Sequence, residues 1–273
     1  MSILLVIGTG LIGGSFALAA KKAQLVETVI GFDVDENALI EAKKLGVIDK
    51  WREVTQQPDL VCVAVPTQEI VESVNEVQRK YGSNIPIFDT GSVKVPVIEA
   101  FESVPTHFVP CHPIAGSERQ GAAAADADLF QDRTVVMTPV KNTNATAAET
   151  IEKTWSRLGA RVIRQAPQEH DDDMATVSHL PHLISFALVE LLANSDARLR
   201  DRIGDGFRDM TRIAGSDATI WQQILVDNAG RVRKKLDELI RLLENLQNAA
   251  QNDSDKLQRM LTSISDYKRR LDG

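Results

Sequence analysis

Ile3-Leu4-Leu5-Val6-Ile7-Gly8-Thr9-Gly10-Leu11-Ile12-Gly13-Gly14 decides how this chain folds. The five aliphatic residues form a continuous apolar run, the pattern of a strand buried on both faces of a parallel sheet. Glycines follow at 8, 10 and 13, and Ser15-Phe16-Ala17-Leu18-Ala19-Ala20 continues as a helix. Strand, glycine turn and helix in that order give this spacing a physical meaning. Gly8 permits the tight turn, Gly10 lets the backbone approach a pyrophosphate, and Gly13 lets helix pack closely on strand. The phosphates then rest at the positive end of the helix. The next apolar run, Thr28 to Phe32, ends in Asp33. A carboxylate there accepts hydrogen bonds from both ribose hydroxyls and repels a 2′-phosphate. The expected cofactor is therefore NAD rather than NADP, held by Gly8, Thr9, Gly10, Leu11, Ile12, Gly13 and Asp33.

Outward from this unit, strands and helices alternate. Leu60 to Val65 is a strand ending at Pro66-Thr67, so Val65, Pro66 and Thr67 join the cofactor edge of the sheet. A helix from Gln68 to Tyr81 leads to Ile85-Pro86-Ile87-Phe88-Asp89, where Pro86 removes a ladder donor and makes the strand start late or lie near an edge. A small polar turn, Thr90-Gly91-Ser92-Val93-Lys94, and a helix around Val97 to Glu102 follow. Strands at His107–Cys111, Arg133–Thr138 and Ala160–Ile163, with a helix over Ala145–Leu158, complete an α/β domain with a Rossmann-type, mostly parallel sheet over 1–165. Ala122 to Asp128 reads as a helical turn or loop cover.

The hydrophobic period changes near Pro167. From there an all-helical domain, 166–273, is expected, with helices over His170–Ala193, Gly206–Ala214, Ala218–Asn248 and Asp255–Leu271. Leu236, Leu239, Ile240, Leu243 and Leu246 form an apolar stripe broad enough to pack on another helix. A thin helical domain of this kind completes its core with a second copy, so a homodimer is expected.

Composition narrows the function. The 273 residues carry a net charge of −7 and no basic patch, which argues against a nucleic-acid or anionic-membrane partner. An anionic small substrate then needs a specific local cation. The two cysteines, Cys62 in an apolar run and Cys111, make neither a disulfide framework nor a zinc site and fit a reducing cytoplasm. The apolar N-terminal run is too short for a signal sequence, and no segment is expected to reach the length of a membrane-spanning helix.

Five stretches carry possible chemistry. In Cys111-His112-Pro113-Ile114-Ala115-Gly116-Ser117-Glu118, an apolar run delivers a histidine to the end of a strand, a proline bars continuation, and a loop follows. Its imidazole reads either as a structural strand cap or as a proton acceptor. His170-Asp171-Asp172-Asp173 and Ser178-His179-Leu180-Pro181-His182 follow in the helical half. The acidic run enriches the first turn of a helix. His179 and His182 share a helix face and read as a structural pair, a substrate-facing pair or metal ligands; without a third ligand, no metal is expected. In Gly206-Phe207-Arg208-Asp209-Met210-Thr211-Arg212-Ile213-Ala214, Arg208 and Arg212 lie four apart, either on a solvated face or with one fork gripping a carboxylate. Ser216-Asp217-Ala218-Thr219-Ile220-Trp221 is a helix start followed by an aromatic.

Together these stretches resemble the prephenate dehydrogenase family, which includes arogenate and dual-specificity cyclohexadienyl dehydrogenases. The matching residues are Gly8 to Ser15, Asp89-Thr90-Gly91-Ser92-Val93-Lys94, His112 to Gly116, His170-Asp171, Ser178 to His182, Phe207 to Ala214, Ser216-Asp217 and Trp221, in the family's order. The resemblance implies a nucleotide-binding domain followed by a helical dimerisation domain, with neither a chorismate mutase segment nor a regulatory domain in this length. It implies NAD-dependent oxidative decarboxylation of prephenate or arogenate in tyrosine biosynthesis. On the matching positions, His112 takes the proton of the ring hydroxyl, and Ser92 lies between nicotinamide and that hydroxyl. Arg212 grips the substrate carboxylate and supplies the cation the acidic chain lacks. His182, with His179, lies near the substrate side chain, while Glu118 and Trp221 line or gate the pocket. Glu118 is the candidate for an influence on the choice between a keto group and an ammonium. The same architecture also serves β-hydroxyacid dehydrogenases and pyrroline carboxylate reductases, and a non-catalytic NAD sensor would share the cofactor site. The two enzyme classes do not call for the His112-Pro113 stretch together with the Arg212 helix, and a sensor would bind NAD yet form no NADH with prephenate.

Overall fold

β1 (Ile3–Ile7) is buried along its whole length and pairs in parallel with β2 (Thr28–Phe32) on one side and β3 (Leu60–Val63) on the other. The computed structural model describes residues 1–51, 56–117 and 119–272. β4 (Ile87–Asp89) and β5 (Phe108–Val109) extend the sheet, giving an all-parallel order β2-β1-β3-β4-β5. The alternation within β1 explains its unbroken apolar character. Leu4 and Val6 enter one core with Phe16 and Trp155, while Ile3, Leu5 and Ile7 enter a second with Ile70 and Val74. Both faces of the strand are covered, so neither tolerates polar residues.

The crossovers are α1 (Leu11–Lys22), α2 (Glu36–Lys44), α3 (Thr67–Tyr81) and the short α4 (Val95–Glu99). Trp155 organises the first core: the rings of Phe16, Phe88 and Phe130 meet it edge-on at centroid distances of 4.8, 5.3 and 5.0 Å. β4 begins after Pro86, as the missing donor requires, yet it lies between β3 and β5 rather than at an edge. The Pro86 carbonyl still accepts from Val61 N, so only the donor side of the ladder is lost.

The remaining strands depart from the single large sheet expected from sequence. The chain breaks at Pro110 and enters a second, three-stranded sheet ordered β6-β7-β8, formed by β6 (Cys111–Pro113), β7 (Thr134–Met137) and β8 (Arg161–Arg164), with α5 (Ala145–Arg157) between the last two. β6 runs antiparallel to β7 and β8 parallel to it. His112 therefore sits inside a strand, opposite Val136, and Pro113 does not end the ladder but pairs with Val135. Pro113 is tolerated because β6 is an edge strand, where a missing donor faces away from the sheet.

From Pro167 the chain is helical. α6 (Pro167–Met174) passes through one π-type turn, Ala175–His179, into α7 (Leu180–Ala193). Pro181 follows directly on the π-type turn, and the helical run continues through it. Pro167–Ala193 thus spans 27 residues, and its most apolar window has a mean hydropathy of 1.4. By length and composition it is the one helix among the described residues able to cross a membrane, contrary to the expectation that no segment reaches that length. The expected long helix Ala218–Asn248 is also corrected. It is two helices, α9 (Ala218–Asp227) and α10 (Ala229–Asn252), which follow α8 (Asp205–Thr211) and precede α11 (Ser254–Asp272). The break is at Asn228, whose side chain is drawn inward to polar partners. Ile240 and Leu243 of the α10 stripe are exposed, as are Leu261, Ile264 and Tyr267 on α11.

Candidate active site

The glycine turn has the geometry its spacing implies. Gly8 adopts φ +87, and a Cβ there would meet the Ala64 carbonyl oxygen at 2.2 Å. A Cβ on Gly13 would meet the Gly8 carbonyl oxygen at 2.0 Å, whereas one on Gly10 would meet nothing within 4 Å. Fold therefore demands glycine at 8 and 13, while at 10 the backbone is bare toward open space. Among the described residues no side chain caps the start of α1, leaving its first-turn amides for an anion. Asp33 is held ready at the tip of β2: one carboxylate oxygen accepts from Thr9 N and Thr9 Oγ1 at 2.8 and 3.0 Å, the other from Asp35 N. Beside it, a cavity of about 850 Å³ runs between the end of β2 (Gly31 to Val34) and the last turns of α3 (Val77, Lys80, Tyr81). The bare Gly10 backbone, the uncapped start of α1 and the oriented Asp33 carboxylate fit a dinucleotide. Val65 packs against Gly8, and Pro66 and Thr67 open α3 at the same sheet edge.

At the other end of that edge a polar assembly ties the two sheets together. Asp89, at the tip of β4, and Lys94 form an ion pair whose side chains are both out of contact with solvent. Lys94 Nζ also donates to the Cys111 carbonyl at 2.6 Å, and Cys111 N donates to Asp89 Oδ1 at 3.0 Å. These bonds set β6 against β4 and so place His112 beside the Ser92 turn. Burial, with the Asp89 charge nearby, pushes the Cys111 thiol up, and Cys62 is raised likewise. Both cysteines are buried, unpaired and inert.

His112 is half-buried. Its Nδ1 lies 2.9 Å from His170 Nε2, and His170 Nδ1 lies 2.7 Å from Asp171 Oδ1. Asp171 also accepts from the amides of Lys94 and Val95 at the start of α4. Burial works to raise the Asp171 pKa, but the bonds from His170, Val95 and Lys94 outweigh it and hold the carboxyl below its ordinary value. Burial depresses the His112 imidazole well below the usual histidine value, and His170, Lys94 and His179 depress it further. His112 is thus neutral at pH 7.

The helical half contributes a second group. His179, one of the buried polar residues, receives a hydrogen bond on Nδ1 from Asn228 Nδ2 at 3.0 Å, and Asn228 Nδ2 also reaches the Asp171 carbonyl. Burial brings the His179 pKa down to about 4. His182 donates from Nδ1 to the Ser178 carbonyl and stacks on Trp221, while His179 meets Trp221 edge-on. Burial lowers the His182 pKa, partly offset by the bond to the Ser178 carbonyl, and the Arg212 charge lowers it further; Arg212 is exposed at the end of α8. Behind His112, Gln120 Nε2 donates to Asp217 Oδ2 at 2.7 Å, joining the loop to the start of α9. Among the described residues no three His, Cys, Asp or Glu side chains gather as metal ligands.

Two sequence families divide the chain. The prephenate dehydrogenase nucleotide-binding domain matches 16–164, and the prephenate dehydrogenase dimerization domain matches 166–263. The chain belongs to the prephenate dehydrogenase family. It is an NAD-dependent oxidoreductase of that family, and NAD is its cofactor. A cyclohexadienyl dehydrogenase from Zymomonas mobilis is 35% identical over 92% of this chain and 90% of its own length. A prephenate dehydrogenase from Bacillus subtilis is 32% identical over 97% of this chain and 75% of its own. Among solved structures, prephenate dehydrogenase from Aquifex aeolicus with hydroxyphenyl propionate and NAD+ superimposes with a TM-score of 0.92 at 29% identity, covering 99% and 98% of the two chains.

Within this family member, the glycine turn gathers with Asp33, and His179 and His182 gather on Trp221. His112 connects to His179 through His170, Asp171 and Asn228. Arg212 is exposed and, among the described residues, hydrogen-bonds to none of these. Glu118 lies outside the described residues. Ser92 is half-buried in the turn between β4 and α4. Arg208 is exposed on α8. Sequence reasoning assigned no role to His170 and Asp171, which read as a helix start, nor to Asn228, which read as mid-helix. Asn228 does carry a signal in retrospect: an amide inside an apolar helical stretch is a poor helix former unless it has inward partners.

Proposed function

We propose that the chain converts prephenate to 4-hydroxyphenylpyruvate by oxidative decarboxylation in tyrosine biosynthesis. The observation that carries this reading is the 2.9 Å bond between His112 Nδ1 and His170 Nε2, which leaves Nε2 as the free ring nitrogen of a neutral, half-buried histidine. Bound NAD supplies the acceptor for the hydride that leaves the ring C4. His112 takes the proton of the C4 hydroxyl as the carbonyl forms, and Ser92 orients that hydroxyl. When the ring carboxylate departs as carbon dioxide, its electrons aromatise the ring and the proton returns to the phenolic oxygen. Arg212 grips the substrate carboxylate. His182, His179, Trp221 and Glu118 line the rest of the pocket. Gly8 to Gly13, Asp33, Val65, Pro66, Thr67 and Ser92 hold the cofactor.

The functional division is proposed as 1–165 for cofactor binding and 166–273 for substrate binding and self-association, in a cytoplasmic homodimer. The exposed apolar residues of α10 and α11 support the dimer, as does the dimerization-domain match. A second copy covering the apolar α7 also accounts for its composition without a membrane. The buried, unpaired cysteines agree with a reducing compartment.

The test is NADH absorbance with prephenate and with arogenate, compared as kcat/KM. The expected result is preference for prephenate. Failure of both substrates to yield NADH overturns the reading. Preference for arogenate moves it to a second reading, which the 35% identity to the Zymomonas mobilis cyclohexadienyl dehydrogenase favours.

A further inference from the structure

His170 and Asp171 are both without solvent contact, and neither reaches the substrate side of the site. A buried histidine bonded to a buried carboxylate needs a reason, since each group loses hydration. Asp171 is held by four bonds from three elements: His170 Nδ1, the Lys94 and Val95 amides to its side chain, and Asn228 Nδ2 to its carbonyl. A carboxylate that already accepts two amides can only accept from His170 Nδ1. With His170 neutral, its Nε2 carries the lone pair and accepts from His112 Nδ1; a doubly protonated His170 donates there instead, and nitrogen NMR separates the two. In the neutral arrangement the last link leaves a lone pair on His112 Nε2.

Resting on the proposed reaction, we infer that Asp171 and His170 are positioning residues: they fix His112 in the tautomer whose Nε2 is the base and stabilise the imidazolium that forms. The proton inventory is closed. The substrate O–H breaks and His112 Nε2–H forms, with the positive charge facing Asp171 through His170. As carbon dioxide leaves, the proton returns to the phenolic oxygen. A proton borrowed and returned within one turnover needs no route to solvent, which suits a chain sealed at 0% exposure for both side chains. It also answers a difficulty at His112. Desolvation and the Lys94 charge disfavour its protonated form, so a compensating carboxylate is required for it to act as a base. The logic is that of the serine-protease triad, where the carboxylate orients the imidazole without being protonated.

Nitrogen NMR of the ligand-free protein with labelled histidine tests the tautomer without any substrate. His112 should show a protonated Nδ1 and a bare Nε2, and Asp171→Asn should reverse them. A protonated Nε2 in the native protein overturns the inference. In steady-state assays, Asp171→Asn should lose about 100- to 10,000-fold in kcat with KM and NAD affinity near native. Since Asp171→Asn also removes helix contacts, His170 offers a second comparison. His170→Gln retains an acceptor for His112 Nδ1 and should keep kcat within about tenfold, whereas His170→Leu should fall about a hundredfold or more. Equal kcat in the two His170 variants, or unchanged kcat in a folded Asp171→Asn protein, sinks the inference. If neither prephenate nor arogenate reacts, the substrate reading fails, and the nitrogen shifts still decide the tautomer.

Discussion

His182 and Trp221 lie face to face, their ring centroids 3.5 Å apart and their planes 18° from parallel. The stack fixes a histidine whose other constraint is a single bond to the Ser178 carbonyl. It also brings α9 against α7. Stacked rings contribute about 0.5–1.5 kcal/mol, so Trp221→Ala should raise KM for prephenate roughly three- to tenfold with less change in kcat. Arg212→Ala removes a charged fork worth about 1.5–3 kcal/mol and should raise KM about ten- to a hundredfold. An unchanged KM in steady-state assays counts against the role of either residue.

The pH profile follows from His112. Its imidazole must be neutral to accept a proton, and burial holds its pKa well below the ordinary value. Activity should therefore stay level through neutral pH and fall only in the acid range, below about pH 6.5. His112→Asn should abolish the acid limb along with most of the turnover. A kcat/KM that declines between pH 8 and about 7 would contradict this assignment.

Stability has its own pH dependence, through His179. Its folded pKa of about 4 lies below the unfolded value, so the unfolded chain binds the proton more readily. Stability is full above about pH 6.5 and is lost as pH falls toward 4, by about 3 kcal/mol from this residue. Urea midpoints measured from pH 7.5 to 4.5 check the direction; His179→Gln should flatten the slope.

The glycines separate fold from cofactor. Gly13→Ala drives a Cβ into the Gly8 carbonyl and should lower the melting temperature, with NAD binding lost as a consequence. Gly10→Ala meets nothing in the protein, so the fold should melt near the native temperature while the Kd for NAD rises at least about tenfold. Calorimetry and cofactor titration on the two variants distinguish these effects; equal melting losses would contradict the geometry.

Oligomeric state tests the exposed stripe. Ile240 and Leu243 on α10, at 43% and 55% exposure, are large apolar side chains left uncovered by this chain. Sedimentation should give a dimer for the native protein and a monomer for Ile240→Glu/Leu243→Lys. A native monomer at low micromolar concentration overturns the dimer.

Much of this molecule was legible locally. The glycine turn, the buried parallel strands and the change to helical period near Pro167 are each written in neighbouring residues, because backbone freedom, strand alternation and helix periodicity act over short sequence distances. The family motifs carried the rest of the function. What sequence alone left open at His112, a strand cap or a base, is a question of partners 58 and 59 residues away, and no local pattern states them.

Tertiary structure decided three things. Pro113 pairs rather than terminates because β6 became an edge strand of a separate sheet, and edge status is a property of the assembled sheet. The helix expected from Ala218 to Asn248 breaks because Asn228 finds Asp171 and His179, partners supplied by another helix. His170 turned from a helix-start residue into the link between a carboxylate and the proposed base, since burial out of solvent leaves its two ring nitrogens only Asp171 and His112 as partners. The sequence alone determined the cofactor turn and the order of elements. Which nitrogen of His112 is engaged by His170 was decided by packing, because hydrogen-bond direction depends on groups that meet only when the chain has folded.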